Sequence, residues 1–233
     1  MVAGGKTYYN VYGAYVTTMD TFNARTQGNT VIVEGGTVKG EIYGAYAKSK
    51  TGEALANNNT VVLKGGNLIA ATIYGARAFK DTVEQTTSGN TLEVWSQGIA
   101  VKAIRNFSNY LFVVPQTAIQ AAAVNPAASM LLTQEAVNMK NAKVAVTFAD
   151  RITLAENDKA VLIDKVEQPD GMTLINPSEL ENGVKGGKVN DFLDADLTLS
   201  VDENKALIVT ATNIRAGKSS KAVAESSSSA AAL

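Results

Sequence analysis

The sequence predicts an all-β chain that folds as a parallel β-helix, or β-solenoid, with a C-terminal non-repetitive β cap region. Three observations lead to this prediction: a motif repeats at a fixed spacing, apolar residues alternate at period two within each repeat, and no repeat shows a helical period. A unit of a few short strands cannot bury its own apolar face. Neighbouring units must therefore stack to form a continuous core.

The repeat has two parts, and both keep a step of about 31 residues. The first part is "NVYGAYV", "EIYGAYA", "TIYGARA" and a decayed "AIRNFSN", which begin at Asn10, Glu41, Thr72 and Ala103. The second part is "NTVIVEGG", "NTVVLKGG" and "NTLEVWSQG", which begin at Asn29, Asn59 and Asn90. Two independent blocks with one common spacing indicate that each repeat forms one coil of the solenoid.

Within each repeat the strands are predicted from alternation and the corners from glycine. Val31 and Val33 alternate with other residues ahead of the glycine pair that ends at Gly36, and the next repeat follows the same order. Glycine accepts the positive φ of a tight corner, so that each strand should end there. The polar stretches 48–58 and 79–89 are predicted to be variable loops outside the coil.

Stacked coils place equivalent residues above one another, about 4.8 Å apart, in ladders. One apolar ladder that should point inward comprises Val11, Ile42, Ile73 and Ile104, and a second comprises Ala14, Ala45, Ala76 and Phe107. Asn29, Asn59 and Asn90 should form an amide ladder at a corner, bonded from coil to coil. Tyr12, Tyr43 and Tyr74 should form an aromatic ladder on a neighbouring face.

The chain divides into three parts by pattern. Residues 1–118 hold the solenoid repeats, residues 119–215 form a non-repetitive β region, and residues 216–233 are a Ser- and Ala-rich tail. In the second part, "DLTLSVDENKALIVTAT" predicts a β-hairpin with its turn at residues 202–205. The sequence leaves open whether residues 119–215 cap or continue the solenoid, or form a separate sandwich.

Composition excludes several classes of function. The formal net charge is −1, which argues against a nucleic-acid partner. The chain has no Cys and no His, so disulfides, thiolate metal sites and catalysis that depends on either side chain are excluded. No cofactor and no metal ligands are expected. No apolar run has the length of a membrane helix, and the first residues lack a signal-peptide pattern.

Two groups of side chains are candidates for function. Carboxylates cluster near the hairpin, at Asp191, Asp194, Asp196, Asp202 and Glu203, where paired acids could cleave polysaccharide or hold calcium. Asp is also common in turns, where it bonds the local backbone, and this interpretation is favoured because no calcium-loop motif is present. The expectation is therefore that the chain is not an enzyme.

The tyrosines are the other candidate. Tyr12, Tyr43 and Tyr74, with Tyr15 and Tyr46 beside them, form a candidate ligand surface on which sugars could stack. The alternative is that these rings serve only as cross-strand pairs, which contribute about 0.2–1 kcal/mol each to stability.

The unit "NTVIVEGGTVKGEIYGAYA", followed by a short polar loop and another "NTV", resembles the repeats of autotransporter passenger domains, the exported segments of type V secretion proteins of Gram-negative bacteria. The resemblance covers residues 10–115. It implies a β-solenoid at the cell surface or in the extracellular space, in a parent protein with a C-terminal membrane β-barrel outside this chain. Members act as adhesins, aggregation factors, toxins or proteases, so that resemblance does not choose among these functions.

The leading hypothesis from the sequence is an adhesin or a structural display stalk that binds surface glycans or proteins of host or bacterium along a flank. The first alternative is a solenoid enzyme that degrades polysaccharide with the carboxylates near Asp194. The second is a spacer module that associates with itself.

Overall fold

The computed structural model describes residues 1–19, 21–121, 124–149, 152–180 and 193–216. Within these ranges the chain is all-β and winds into a parallel β-solenoid, so the predicted fold class is confirmed. The remaining regular elements are three single-turn 3-10 helices, at Gln116–Ala118, Pro126–Ala128 and Pro177–Glu179. The predicted tail lies outside the described residues after Ala216.

Each coil adds one strand to each side of the solenoid. The first coil contains β1 (Thr7–Tyr8), β2 (Val11–Tyr12), β3 (Tyr15–Thr18), β4 (Ala24–Gln27) and β5 (Thr30–Val33). The second contains β6 (Thr37–Val38), β7 (Glu41–Tyr43), β8 (Tyr46–Ser49), β9 (Ala54–Asn57) and β10 (Thr60–Leu63). The third contains β11 (Leu68–Tyr74), β12 (Arg77–Lys80), β13 (Val83–Gln85) and β14 (Thr91–Val94).

The later strands continue the winding with fewer sides. They are β15 (Ile99–Arg105), β16 (Asn109–Val114), β17 (Leu131–Thr133), β18 (Val137–Asn138), β19 (Lys143–Phe148), β20 (Lys159–Ile163), β21 (Val166–Glu167) and β22 (Thr173–Ile175). The last two described strands, β23 (Leu193–Val201) and β24 (Leu207–Ala216), form a long hairpin.

Two sheets enclose the main core. An eight-stranded sheet has the order β2-β7-β11-β15-β17-β20-β24-β23, and a six-stranded sheet has the order β22-β19-β16-β14-β10-β5. Ile42 and Ile73 are fully buried in this core, and Val61, Leu92 and Phe112 from the other sheet join the same apolar cluster. Pairing from coil to coil is parallel, and β24 is antiparallel to both of its neighbours.

The predicted step of 31 residues is the register of the eight-stranded sheet at the motif positions of β2, β7, β11 and β15. Ile42 pairs with Val11 on one side and with Ile73 on the other, and Ile73 pairs with Ile104. Tyr43 lies between Tyr12 and Tyr74 in the same register. Residues one repeat apart therefore lie directly above one another, as the stacking prediction requires.

The amide ladder also forms as predicted. Asn29 donates through Nδ2 to Oδ1 of Asn59 at 2.9 Å, and Asn59 donates in the same way to Asn90 at 3.2 Å. Each acceptor oxygen also takes the backbone N–H of the Asn one coil earlier, at 3.1 and 3.0 Å. Asn90 ends the ladder by donating to the backbone carbonyl of Asn106 at 3.3 Å.

Glycine is required in the repeat for two different reasons. Gly66 has a φ of +99°. Residues with a side chain rarely adopt this backbone angle, so glycine is needed for the corner itself. Gly44 is needed for close approach, because a Cβ there would lie 2.3 Å from the carbonyl oxygen of Gly75 and 3.1 Å from the Cβ of Asn59. The tyrosine strand and the amide ladder pack against each other through this glycine row.

The prediction that residues 48–58 form a loop outside the coil is wrong. β9 lies within this range and pairs in parallel with β4, and β8 pairs with β3 and β12. These strands enclose a second, smaller core made of alanines, which we call the alanine lobe: Ala24, Ala45, Ala47, Ala54, Ala56, Ala76 and Ala78. Small side chains suit it because the facing strands are too close together for larger ones.

The region 79–89 was also predicted to be a loop, and it too contains regular structure. Part of it continues β12, and β13 pairs antiparallel with β12 at the end of the lobe. In the next coil the chain crosses from β15 to β16 through residues 106–108 alone, so the lobe stops there. Phe107, at the predicted alanine-ladder position, packs against the main core.

The second half of the chain stacks on the first. β19 pairs in parallel with β16, and β20 with β17, so the main core runs on without a break to the hairpin. The hairpin strands pair antiparallel, and Asp202 accepts the backbone N–H of Ala206 at 2.8 Å to close the turn. The sequence left open whether residues 119–215 stack on the solenoid or form a separate sandwich. The described part of this region stacks on the solenoid through the same two sheets.

We predict that Ile73→Asp unfolds the solenoid, because it places a charge in a fully buried site between Ile42 and Ile104. The free energy of unfolding should fall by at least about 4 kcal/mol. Ile69→Asp is the matched control, since Ile69 lies in the same strand, β11, and is 54% exposed. Urea unfolding followed by circular dichroism compares the two, and equal stability of both variants would contradict the stacked core.

Candidate ligand surface

The predicted tyrosine surface consists of two rows on adjacent sides of the solenoid. We call it the tyrosine flank and define it by Tyr12, Tyr43, Tyr74, Tyr15 and Tyr46. The strands β2, β7 and β11 supply the first row, and β3 and β8 supply the second. The glycine between the two strands of each coil turns the chain, so both rows reach the same outer corner.

The rings are stacked at the spacing of the coils. In the first row the ring centroids of Tyr12 and Tyr43 are 4.9 Å apart, and those of Tyr43 and Tyr74 are 5.0 Å apart, with interplanar angles of 3° and 11°. In the second row Tyr15 and Tyr46 are 5.1 Å apart at 10°. Tyr12 and Tyr15 meet edge to face at 5.1 Å and 76°, so the two rows support each other.

The third coil closes the second row with a cation, which the sequence analysis did not single out. Arg77 takes the position of Tyr46, and its guanidinium lies 5.1 Å from the ring centroid of Tyr74 and 4.6 Å from that of Phe79. It donates to both carboxylate oxygens of Glu84, at 2.9 and 3.1 Å. The signal was visible as the change from "YGAY" to "YGAR" in the third repeat.

The phenol of Tyr43 is held in its neutral form. Burial raises the pKa of Tyr43 well above its ordinary value near 10, and the neighbouring carboxylate of Glu41, which accepts a hydrogen bond from the phenol, raises it further. Burial also raises the pKa of Tyr46 and Tyr74. Tyr43 therefore stays protonated and donates its phenolic hydrogen to Glu41.

Exposure falls steeply from the first coil inward. Tyr15 is 57% exposed and Tyr12 is 38% exposed, whereas Tyr43 is only 4% exposed because its ring lies between two others. A ligand therefore cannot stack on the face of Tyr43. The accessible parts of the flank are the outward ring faces of the first coil and the ring edges along the corner.

Asn10 adds polar groups beside the exposed rings. Its Nδ2 lies 3.4 Å from the phenolic oxygen of Tyr12, and its Oδ1 accepts the backbone N–H of Glu41 at 2.9 Å. An amide next to an exposed ring face combines hydrogen bonding with stacking, which is a combination that suits a sugar or a peptide.

The acidic cluster near the hairpin is engaged in local contacts. Asp194 and Asp196 accept hydrogen bonds from the same Arg215 side chain, at 3.1 and 2.8 Å. Arg215 and Asn213 hold the pKa of Asp196 below its ordinary value, which opposes a role as a general acid. Glu203 is an exposed residue of the turn, and Asp191 lies outside the described residues.

Trp95 lies on the outer side of the coil, apart from the main core. It packs with Leu111, Val113 and Leu180 over the outer face of the six-stranded sheet, and its Nε1 donates to Glu93 at 3.0 Å. This packing gives Trp95 a structural role. The stretch 185–188, where the sequence predicts a solvated turn, lies outside the described residues.

A polar groove of about 380 Å³ marks the step where the alanine lobe ends. Its walls include Gln85 and Thr87 from the lobe, and Asn106 and Phe107 from the short crossing below it. Across the described ranges, no group of three or more acidic side chains is arranged to hold a metal ion. No helix in the same ranges is long and apolar enough to span a membrane.

Comparisons with protein-family models, with curated proteins and with solved structures give no match to this chain.

We predict that alkaline pH destabilises the protein and that Tyr43→Phe reduces this effect. The pKa of Tyr43 is raised on folding, so its contribution is present below about pH 10, the unfolded pKa, and is lost as the pH rises toward the folded pKa. The hydroxyl-free variant has no such group to titrate, although loss of the hydrogen bond to Glu41 should cost about 1 kcal/mol at neutral pH.

The measurement is urea unfolding of both proteins at about pH 8 and about pH 11, on either side of the ordinary tyrosine pKa. The wild type should lose more free energy of unfolding between the two pH values than Tyr43→Phe loses. Equal losses would show that this phenol ionises as easily when folded as when unfolded.

Proposed function

We propose that this chain is a structural and adhesive module of an exported bacterial protein, a passenger segment of the autotransporter type, and that it binds a partner along the tyrosine flank. The single observation that carries the proposal is the arrangement of the flank. Stacked rows of rings end in two exposed rings, Tyr12 and Tyr15, and each of these rings stacks on a tyrosine of the second coil.

Rigidity supports binding on such a surface. Each ring of the flank is fixed by its neighbours and by a strand that is hydrogen-bonded from coil to coil, so little side-chain entropy remains to be lost when a ligand binds. Exposed aromatic rings that are already ordered are typical centres of recognition surfaces. The repeat resemblance adds the expectation of a surface glycan or a surface protein as the partner.

An extended flank suits a polymeric partner better than a small molecule. The rings cover a corner that runs across three coils, from Tyr12 to Tyr74, and the first coil offers Asn10 as an adjacent amide. A polysaccharide chain or an extended protein surface can contact several coils at once. Each contact is weak alone, and several contacts in a row give useful affinity.

A polysaccharide-degrading activity has less support. Acid and base catalysis needs two carboxylates that converge on one bond with different pKa values. Asp194 and Asp196 instead share Arg215 on the exposed surface of the hairpin, and Asp202 is used by the turn. We therefore place the function in binding or display.

The proposal predicts that the protein binds members of an array of bacterial and host glycans and extracellular-matrix proteins. Tyr12→Ala/Tyr15→Ala should weaken that binding at least about fivefold, because removal of both exposed rings takes away the stacking platform, worth roughly 0.5–1.5 kcal/mol per ring. Surface plasmon resonance on the array hits measures the change.

The matched control is Val83→Ala/Leu174→Ala, which shortens two exposed apolar side chains away from the flank. It should bind like the wild type. Equal binding by the tyrosine variant, or an array without any hit, would contradict an adhesive role. Cleavage of an antibody epitope in this chain by protease added to intact cells of the native organism would test the surface location separately.

A further inference from the structure

The solenoid becomes narrower between its third and fourth coils. In the third coil the chain passes through β12 and β13 before it reaches β14, whereas in the fourth coil residues 106–108 join β15 directly to β16. The alanine lobe therefore ends as an overhang beside this short crossing. The overhang and the crossing enclose the polar groove of about 380 Å³, which we call the step groove and define by residues 84–87 and 106–108.

Two amide side chains of the step groove are fixed in a way that leaves their oxygens available. Gln85 donates through Nε2 to the backbone carbonyl of Val83 at 2.9 Å, and Asn106 donates through Nδ2 to that of Ala76 at 2.9 Å. Among the described residues, no donor reaches Oε1 of Gln85 or Oδ1 of Asn106. Two ordered acceptors therefore remain for the hydroxyl groups of a ligand.

The step groove also offers hydroxyl groups and almost no free charge. Thr86, Thr87 and Ser108 line it, and their hydroxyls have no hydrogen-bond partner in the part of the chain that the structure describes. Its one charged lining residue, Glu84, has both carboxylate oxygens bonded to Arg77, at 2.9 and 3.1 Å. A charged ligand would find no free counter-charge here, so the lining suits an uncharged polar ligand.

Phe107 gives the step groove one apolar surface. Its ring centroid lies 6.2 Å from that of Tyr110, and the ring packs against the main core, which holds it in place. A sugar ring can pack its C–H groups on such a surface while its hydroxyls bond to the polar groups around it. One fixed ring surrounded by amides and hydroxyls is therefore a lining that fits a sugar.

A second cavity continues the step groove along the solenoid. It has a volume of about 200 Å³, shares Ser108 with the step groove and reaches Lys143 and Glu179, whose charges are opposite. Lys143 pairs with Asn109, and Asn109 pairs with Thr91 in the coil before, so the two cavities follow the direction in which the coils stack. Coils repeat at about 4.8 Å, which is close to the length of one sugar unit in an extended chain.

We propose that the step groove is a second ligand site of this protein, and that it binds a short stretch of an uncharged polysaccharide along the stacking direction. The site is separate from the exposed rings of the tyrosine flank, which lie in the first coil, so the inference goes beyond the proposed function and does not need it. An extended peptide fits less well, because the groove has one apolar surface for side chains and its edge strand, β13, is three residues long.

The test removes both ordered acceptors and compares the result with the same substitutions elsewhere. Gln85→Ala/Asn106→Gly is the groove variant, and glycine at position 106 accepts the φ of +60° found there. Gln134→Ala/Asn213→Gly is the matched control outside the groove, since Gln134 donates to the carbonyl of Ile69 at 2.9 Å and Asn213 has a φ of +51°. Circular dichroism shows that each variant is folded.

The probes are four neutral trisaccharides, namely chitotriose, cellotriose, maltotriose and mannotriose, and the peptide trialanine. Chemical-shift titration of the isotope-labelled full chain measures each dissociation constant. At least one trisaccharide should bind the wild type saturably. The groove variant should raise its dissociation constant at least about fivefold, because two hydrogen bonds are lost, and the control should leave it unchanged.

Tyr12→Ala/Tyr15→Ala should bind the same trisaccharide like the wild type, and this result separates the step groove from the tyrosine flank. Absence of binding by all four sugars, equal weakening by the groove variant and its control, or loss of binding in the tyrosine variant would overturn the proposal. Tighter binding of trialanine than of any sugar would also overturn it, because the groove would then be a peptide site. The adhesive function is tested separately, by the array hits and the two tyrosines of the first coil.

Discussion

The structure depends on parallel hydrogen bonding between coils at a fixed register, which places equivalent residues directly above one another at the strand spacing of about 4.8 Å. Side chains in such a column must be able to stack on copies of themselves. Flat rings do so at 4.9 to 5.1 Å, and amides do so by donating to the amide in the next coil. Branched apolar side chains fill the interior, where Ile42 and Ile73 lie in contact with the opposite sheet.

The tyrosine rows, the amide ladder and the alanine lobe also depend on one another within each coil. The glycine row at Gly44 lets the tyrosine strands approach the amide ladder, and the alanine lobe behind it holds the second tyrosine row in place. The lobe ends where the chain takes the short crossing at residues 106–108, and there Arg77 replaces a tyrosine and binds Glu84. The flank is thus confined to the first three coils, and its most exposed rings lie in the first coil.

The proposed binding depends on the exposed rings of the first coil. Stacking consumes the ring faces of Tyr43, so that unpaired aromatic surface remains only on the first coil. Several weak contacts along the flank can act together on one extended partner, which raises the apparent affinity.

The sequence by itself determined the fold class, the register and the main ladders, because a repeat states the distance between stacked residues as its period. It could not reveal the alanine lobe, since "ARTQ" and "ALAN" look like loop sequence until the neighbouring coil buries their alanines. It left open whether the second half stacks on the first, because Asn109 pairs with Lys143 and Lys143 with Thr173 at steps of 34 and 30 residues without a shared motif. Only the tertiary structure decided these features, and with them which tyrosines are exposed, because burial depends on contacts between segments of unlike sequence.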